Sequence, residues 1–317
     1  MALTNPMLPV CRANTLTIQP VEQTWLIESV WIKSAVGIIG GPPKCCKSWL
    51  GLDMAISVAS GTPCLNRFPI ADKGPTLIFL AEDAIGSVRT RIDSICAHRK
   101  FDIDRLELYV ITASALRLDL ERDQKRLKHT LNDLRPRLLL LDPLIRLHRL
   151  DENSAADISN LLGYLREIQR TYDTAVVLVH HASKKHRAQP GQALRGSSDL
   201  HAFGDSNAYL ARRNQKITLT LEHRSAKPPD PFELQLLSRS DGSATHLEIV
   251  SCVGENADTS LTDRILVLLQ HAEKPLPGKI MREHLRVNNQ RLIKTLDDLN
   301  KQSRIIRSSK GWISLEK

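Results

Sequence analysis

The sequence predicts an α/β fold in which a mostly parallel sheet is flanked by helices and followed by a small C-terminal domain. Five apolar runs show no in–out alternation, which is typical of strands buried on both faces of a parallel sheet. They cover residues 36–39, 76–80, 108–111, 138–141 and 175–179. Residues 157–170 carry apolar side chains at helical spacing, as an amphipathic helix does. Polar and apolar residues alternate at 217–221 and 232–236, which predicts antiparallel strands at an edge of the sheet.

The chain of 317 residues is long enough for one large domain and one small domain. We predict a first domain over 1–251, with its core at about 20–237, and a polar linker over 252–260. The second domain, 261–317, has the pattern of a winged helix, with three short helices and a two-stranded wing. Winged helices bind DNA or dock on proteins, and the sequence leaves both roles open.

Charge indicates an anionic partner. The formal net charge is +9 and the isoelectric point is near 9.3, and nucleic acid is the usual partner of such a basic protein. Residues 258–317 hold twelve Lys and Arg against seven Asp and Glu, so the excess is concentrated at the C-terminal end. Aromatic residues make up only 4% of the chain, which argues against a protein that binds single strands by stacking.

Composition and the lack of targeting signals also predict a cytoplasmic protein that is not associated with a membrane. Six cysteines show no C-x-x-C pair and no zinc spacing, which is typical of reduced thiols. No signal peptide is recognisable, and no apolar run approaches the length of a membrane span.

Residues 41–48 have the pattern of a phosphate-binding loop, G-x-x-x-x-G-K-[ST], with one departure. An apolar strand precedes the loop and a helical pattern follows it, so the backbone N–H groups and the helix dipole would face bound phosphates. The residues expected to contact ATP here are Gly41, Pro42, Pro43, Lys44, Cys45, Cys46, Lys47, Ser48 and Trp49. We expect Lys47 to reach the β- and γ-phosphates and Ser48 to bind Mg²⁺.

The departure is Cys46, which occupies the position of the second glycine. Glycine lets the backbone approach the phosphate without a Cβ in the way, so cysteine is expected to weaken nucleotide binding without abolishing it. Because Cys45 is adjacent, the two thiols could form a redox switch. A pair of reduced thiols with only a structural role is the favoured interpretation.

Carboxylates follow two of the predicted strands. Asp142 ends the run 138–141, where an open α/β sheet binds its ligand, and is expected to hold Mg²⁺. Glu82 follows the run 76–80 and is our choice for the base that activates the attacking water. Its neighbour Asp83 is the alternative.

A pair of histidines, His180 and His181, follows the run 175–179. A polar side chain at this strand end can touch the γ-phosphate, whereas a zinc site would need a third ligand that the spacing does not provide. Next comes a basic loop over 182–198, which would grip a nucleic-acid backbone in a central channel or lie at the surface as an ordinary loop. Its candidate nucleic-acid contacts are Lys184, Lys185 and Arg187.

In the predicted winged helix, the third helix would enter a major groove and the wing would hold phosphates. The candidate groove contacts are Asn289, Arg291 and Lys294, and the candidate phosphate contacts are Arg304, Arg307 and Lys310.

These motifs together resemble the RecA-like ATPases related to the RepA-type hexameric plasmid helicases. The resemblance covers about residues 20–237 and rests on the phosphate loop, on Leu80-Ala-Glu-Asp, on Leu139-Leu-Leu-Asp-Pro, on Val179-His-His and on Arg195-Gly-Ser-Ser. It implies that Glu82 is catalytic, that His180 senses the γ-phosphate, and that ATP with Mg²⁺ is bound. It also implies a homo-oligomer, a hexamer, that works on single- or double-stranded DNA.

Hexamers of this kind place an arginine from one subunit into the site of the next. The segment Leu221-Glu-His-Arg is similar to the Lys-x-Arg strand end that does this in DnaB-like rings, with Glu222 departing from the lysine. The resemblance therefore implies that Arg224 is the arginine finger. Arg195, Arg212 and Arg213 are the alternatives.

Two functions fit these expectations. One is an ATP-driven ring motor or helicase-like protein of replication or of a mobile element. The other is a nucleotide-gated DNA-binding regulator or loader that hydrolyses ATP slowly or not at all, an alternative that Cys46 favours.

Overall fold

The structure is a computed structural model, which describes residues 10–16, 25–151, 154–181, 198–213, 216–240, 242–252, 261–270, 272, 274–285, 289–308 and 311–315. It divides the chain into two units. The first comprises Met1–Arg213, Leu221–Pro229 and Leu236–Glu248, and the second comprises Asn214–Thr220, Asp230–Gln235 and Ile249–Lys317. Most of the linker predicted over 252–260 lies outside the described residues.

The first unit contains most of the α/β core. Its elements in chain order are β1 (Trp25–Ile27), β2 (Trp31–Ile32), β3 (Val36–Gly41), α1 (Lys47–Ser60), β4 (Thr76–Leu80), α2 (Ile85–Arg99), β5 (Leu108–Val110), α3 (Glu121–Leu134), β6 (Leu138–Asp142), α4 (Ala155–Tyr172), β7 (Ala175–His181), α5 (Ser198–Phe203) and β8 (Ser206–Arg213). The five predicted strands are all present, each within three residues of its predicted bounds.

Six of these strands form a parallel array in the order β8-β3-β7-β6-β4-β5. Strands β3, β4 and β6 are buried along their whole length, which is why their sequences are apolar without alternation. Because the strands are parallel, the residues that follow β3, β4, β6 and β7 emerge at the same edge of the sheet. The predicted α/β class with a mostly parallel, helix-flanked sheet is confirmed.

Helix α4 shows how the flanking layer is held. Ser154 begins the helix, and its hydroxyl accepts a hydrogen bond from the backbone N–H of Asp157. The predicted apolar stripe of this helix is buried against the inner side chains of β6 and β7, in one core cluster with residues of α3. Residues of the stripe in this cluster are Ile158, Leu161, Leu162, Leu165 and Ile168.

Three further strands are β9 (Lys216–His223), β10 (Phe232–Leu237) and β11 (His246–Cys252). Strand β10 pairs with β9 in antiparallel fashion, with Phe232 opposite Leu219, as the alternating pattern predicts.

The rest of the second unit contains α6 (Leu261–Gln270), α7 (Gly278–Leu285), α8 (Asn289–Lys301), β12 (Ile305–Ser308) and β13 (Gly311–Ser314). The last two strands form an antiparallel hairpin, and the helices share a small apolar core that includes Ile265, Met281 and Leu296. Helices and a hairpin are thus found at the predicted positions, and the assignment to the winged-helix family stays a prediction.

Among the described residues, no helix combines the length and the apolar character that crossing a bilayer requires.

Candidate active site

A cavity of about 300 Å³ lies where the strands β3, β4, β6 and β7 end. Its lining combines the phosphate loop with polar residues from the neighbouring strand ends. The lining residues are Lys44, Cys45, Cys46, Lys47, Ser48, Trp49, Glu82, Arg91, Asp142 and His181. Most of the residues that the sequence singled out for nucleotide chemistry are therefore brought together in one place.

The loop between β3 and α1 has the backbone that its motif requires. Cys46, at the start of α1, has φ 67° and ψ 26°, a left-handed conformation that glycine adopts freely and other residues do not. Lys44 is also left-handed, with φ 62°. Holding a non-glycine residue in this conformation costs on the order of 1–2 kcal/mol. The missing glycine thus leaves the loop conformation in place and adds strain, which the sequence pattern alone did not reveal.

At Gly41, where the loop begins, the chain passes very close to β8 and to Cys45. A Cβ at Gly41 would lie 2.4 Å from the carbonyl oxygen of Leu210 on β8 and 2.8 Å from the Cys45 Sγ. A side chain here would push β8 away from the loop, so this first glycine of the motif has a packing role.

Lys47 folds back onto the loop. Its Nζ donates hydrogen bonds to the carbonyl oxygens of Gly41 at 3.0 Å and Pro42 at 2.8 Å, and the residue is 6% exposed. Burial lowers the pKa of this ammonium group, and the nearby Cys45 and Asp142 oppose the change. The lysine is therefore held at the loop by two backbone acceptors.

Asp142 ends β6 opposite Leu80 of β4 and is buried. Its carboxylate lines the cavity together with Ser48, and its Oδ2 is buried without a hydrogen-bond partner. Burial raises the pKa of Asp142 to about 6, helped by the negative charge of Asp83. An unsatisfied carboxylate oxygen beside a serine hydroxyl is the donor set that Mg²⁺ takes together with substrate phosphates, so Ser48 and Asp142 fit the expected ion.

The two acidic residues after β4 have different partners. Glu82 lines the cavity, and its Oε1 accepts a hydrogen bond from Nε of Arg146 at 2.8 Å. Asp83 forms a two-pronged ion pair with Arg91, at 2.7 and 2.8 Å. Both carboxylates are engaged by an arginine, but only Glu82 lines the cavity, and its role as the base stays a prediction.

Arg91 connects Asp83, its ion-pair partner, to Trp49 at the end of the phosphate loop. Its guanidinium carbon lies 5.7 Å from the centre of the Trp49 ring, a cation–π distance, and both side chains line the cavity half-buried. Sequence reasoning missed Arg91, because an arginine in the second turn of α2 carries no local signal of its neighbours.

The two histidines end β7, paired in register with Gly40 and Gly41 of β3. Successive residues of a strand point to opposite faces. His181 lines the cavity, whereas His180 is buried with 2% exposure. The structure thus brings His181 to the cavity, and the resemblance had pointed to His180.

The candidate arginine fingers lie in different surroundings. Arg224 pairs with the Asp205 carboxylate at 3.1 Å and donates to the carbonyl oxygen of Ala202 at 2.6 Å, and Arg166 binds the same aspartate. Arg224 is not among the residues that line the cavity of its own chain. Arg212, at the end of β8, donates from Nη1 to the carbonyl oxygen of Lys44 in the phosphate loop, at 3.0 Å. Arg195 and the side chain of Arg213 lie outside what the structure describes.

Most of the predicted nucleic-acid contacts also lie outside the described residues. These are Lys184, Lys185, Arg187, Lys310 and the side chains of Asn289, Arg291 and Lys294. In the hairpin of the second unit, Arg304 is half-buried and Arg307 is exposed. The Arg307 guanidinium lies 5.8 Å from the centre of the Trp312 ring, its cross-strand partner.

Comparison with known proteins agrees with this architecture. A family model described as an AAA domain matches residues 5–187. The crystal structure of the RadB recombinase superimposes with a TM-score of 0.51 at 15% identity, over 69% of this chain and 92% of that one. The ATPase domain of G40P gives 0.51 at 14% identity, over 65% of this chain and 83% of that one.

A third solved structure is a DnaB-like replicative helicase, described together with its interactions with primase. Its TM-score is 0.50 at 14% identity, over 65% of this chain and 56% of the helicase chain. At such identities the likeness shows the fold alone, and the expected RecA-like architecture is confirmed.

Proposed function

Because the chain belongs to the AAA domain family, whose model matches more than half of its length, we propose that it is a Mg²⁺-dependent ATPase acting on DNA. The observation that carries the proposal is the unpartnered, buried Oδ2 of Asp142, which lines the cavity together with Ser48 at the start of α1. A buried carboxylate without a counter-ion is unfavourable, so a site built this way is suited to binding a cation.

The proposed chemistry assigns each cavity residue a task. The loop N–H groups and Lys47 would bind the β- and γ-phosphates, which requires Lys47 to exchange its two carbonyl acceptors for phosphate oxygens. Mg²⁺ held by Ser48 and Asp142 would neutralise charge on the phosphates. Glu82 would orient and deprotonate the attacking water, after its oxygen separates from Arg146.

The role that remains to be assigned is sensing of the γ-phosphate. His181 has the position for direct contact, since it lines the cavity, and His180 would act through the packing of β7 against β3. Replacing each histidine by Asn separates the two roles: the residue that contacts phosphate is the one whose loss lowers the affinity for ATP more than that for ADP.

The proposed partner is DNA, and the proposed assembly is a homo-hexameric ring. The net charge of +9 supports an anionic partner, and the recombinase and replicative helicase named above share the fold. A ring is supported by the fold shared with the DnaB-like replicative helicase, and in it Arg224 would leave Asp205 and complete the cavity of a neighbouring subunit. The C-terminal helices and hairpin would bind DNA as a winged helix.

A second function is favoured by two observations. The left-handed Cys46 strains the phosphate loop, and Glu82 is held by Arg146. Both features would slow hydrolysis, as in a nucleotide-gated DNA-binding regulator or loader in which ATP sets the assembly state.

One experiment separates these functions. ATP hydrolysis is measured with no DNA, with single-stranded DNA and with double-stranded DNA, alongside the particle mass with and without ATP. Lys47→Ala serves as the control that removes phosphate binding. Turnover stimulated by DNA supports the motor, whereas ATP-dependent assembly and DNA binding with little turnover support the regulator. Absence of ATP binding to the unmodified protein would refute both.

A further inference from the structure

The phosphate loop needs contacts from outside itself to keep its shape. Two of its non-glycine residues, Lys44 and Cys46, are left-handed, and such residues persist only where the surrounding structure holds them. Lys47 supplies part of this support through its bonds to Gly41, Pro42 and the Cys45 Sγ, and the Leu50 N–H donates to the Cys46 carbonyl oxygen at 3.0 Å. The carbonyl of Lys44, the first left-handed residue, receives its support from a different element.

Strand β8 provides that support. Its backbone lies against the start of the loop, since a Cβ on Gly41 would approach the Leu210 carbonyl oxygen to 2.4 Å. Two residues further along β8, Arg212 donates from Nη1 to the Lys44 carbonyl oxygen at 3.0 Å. The contact is on the first of the two left-handed residues, and it ties the turn to the sheet.

The charge of Arg212 acts on the side of the loop where α1 begins. Because it donates to the Lys44 carbonyl oxygen at 3.0 Å, Arg212 lies beside the turn that leads into α1, a helix N-terminus where backbone N–H groups favour an anion.

We propose that Arg212 is a positioning residue that acts within its own subunit, holding the strained phosphate loop through the Lys44 carbonyl and adding a positive charge beside bound phosphate. This deepens the proposed ATP-binding function and rests on it for its second part. It also assigns Arg212 a role distinct from that of an arginine finger, one of the roles that the sequence left open.

Three substitutions separate the two parts of the role. Arg212→Gln keeps a hydrogen-bond donor and loses the charge, Arg212→Lys keeps the charge, and Arg212→Ala loses both. Arg89→Ala is the matched control, because Arg89 is an exposed arginine paired with Asp93 on α2 and does not line the cavity. We expect Arg212→Ala to weaken ATP binding by roughly 10-fold or more and the control to leave it unchanged, as expected for a lost charge-assisted contact.

Support of the loop is tested without nucleotide. Arg212→Ala should lower the midpoint of thermal unfolding by roughly 2 °C or more, and Arg212→Gln should restore much of the loss. In the Cys46→Gly background the strain is relieved, so the same substitution should cost clearly less, which a double-mutant cycle measures. Equal costs in both backgrounds would overturn the supporting role of Arg212, whether or not the protein binds ATP.

The subunit in which Arg212 acts is tested by mixing. Arg212→Ala protein is mixed with Glu82→Gln protein under conditions of confirmed subunit exchange. A residue acting within its own subunit gives no recovery of turnover, because each site then lacks one of the two groups. Recovery would show that Arg212 serves a neighbouring site, and would overturn the proposal. If the unmodified protein binds no ATP, the proposed function fails, and the unfolding cycle still decides the role of Arg212 in the loop.

Discussion

Replacing Cys46 by Gly is the most direct test of how this loop tolerates its missing glycine. In the left-handed conformation at φ 67°, a non-glycine residue costs on the order of 1–2 kcal/mol, and glycine removes that cost. Glycine also makes the unfolded chain more flexible, which offsets about 0.4–1 kcal/mol. We therefore expect Cys46→Gly to raise the free energy of unfolding by about 0.5–1 kcal/mol, or the unfolding midpoint by roughly 2 °C.

The same substitution should tighten ATP binding. The Cβ of Cys46 stands at the start of α1, where the phosphates are expected, and its removal relieves crowding on the order of 1 kcal/mol, the range of a strained position. This corresponds to an affinity gain of roughly 5-fold. The measurements are denaturant unfolding without nucleotide and calorimetric titration with ATP and with ADP.

Two further variants decide the interpretation. Cys46→Ala keeps the Cβ and removes the sulfur, so it should change neither stability nor affinity much. Lys44→Gly relieves the same kind of backbone strain at φ 62°, and should stabilise the nucleotide-free protein by a similar amount. If Cys46→Ala matches Cys46→Gly, the thiol and not the backbone is responsible. If Cys46→Gly neither stabilises nor tightens binding, the reasoning from strain is refuted.

Three other predictions concern the carboxylates and the finger. The pKa of Asp142 rises from 3.8 to about 6 on folding, so the folded state binds more protons and stability falls as pH rises from about 4 to 6. Asp142→Asn should remove this fall and stabilise the metal-free protein by up to about 3 kcal/mol at pH 7, while abolishing stabilisation by Mg²⁺ with ATP. If the stability gained by the substitution is no larger at pH 7 than at pH 4, the prediction is wrong. Glu82→Gln should bind ATP and hydrolyse it at least ~100-fold more slowly, and near-normal single-turnover rates would move the base to Asp83 or remove it. Arg224→Ala should retain ATP affinity and lose roughly 10³-fold in turnover, with partial recovery on mixing with Glu82→Gln protein; without recovery under confirmed exchange, Arg224 does not act across subunits.

The strands could be predicted because their burial leaves a direct mark on the sequence. A run such as Leu138–Leu141 is apolar on both sides only if both faces of the strand are covered, and the structure buries it completely. Strand β8 carries no such mark, since polar and charged residues make up half of Ser206–Arg213, although it pairs with β3. The sequence analysis therefore missed the strand that supports the phosphate loop.

The candidate site likewise contains residues that local sequence patterns predict and contacts that they do not. Lys47, Ser48, Glu82 and Asp142 could be found from local patterns, because each follows a predicted strand and parallel strands end at one edge. The partners of these residues could not be found, because the pairs Glu82–Arg146 and Arg212–Lys44 join residues 64 and 168 positions apart. Contacts of this kind depend on tertiary structure.

The position of Trp49 gives the protein an optical reporter. Trp49 lines the cavity under the Arg91 guanidinium, so a bound nucleotide would change the polarity and charge around its indole ring. Of the other three tryptophans, Trp31 is fully buried, Trp25 packs edge-on against His223, and Trp312 belongs to the C-terminal hairpin. A fluorescence change on adding ATP that disappears in Trp49→Phe would follow binding in real time without a label. The rate of each step at the loop then becomes accessible in the unmodified chain.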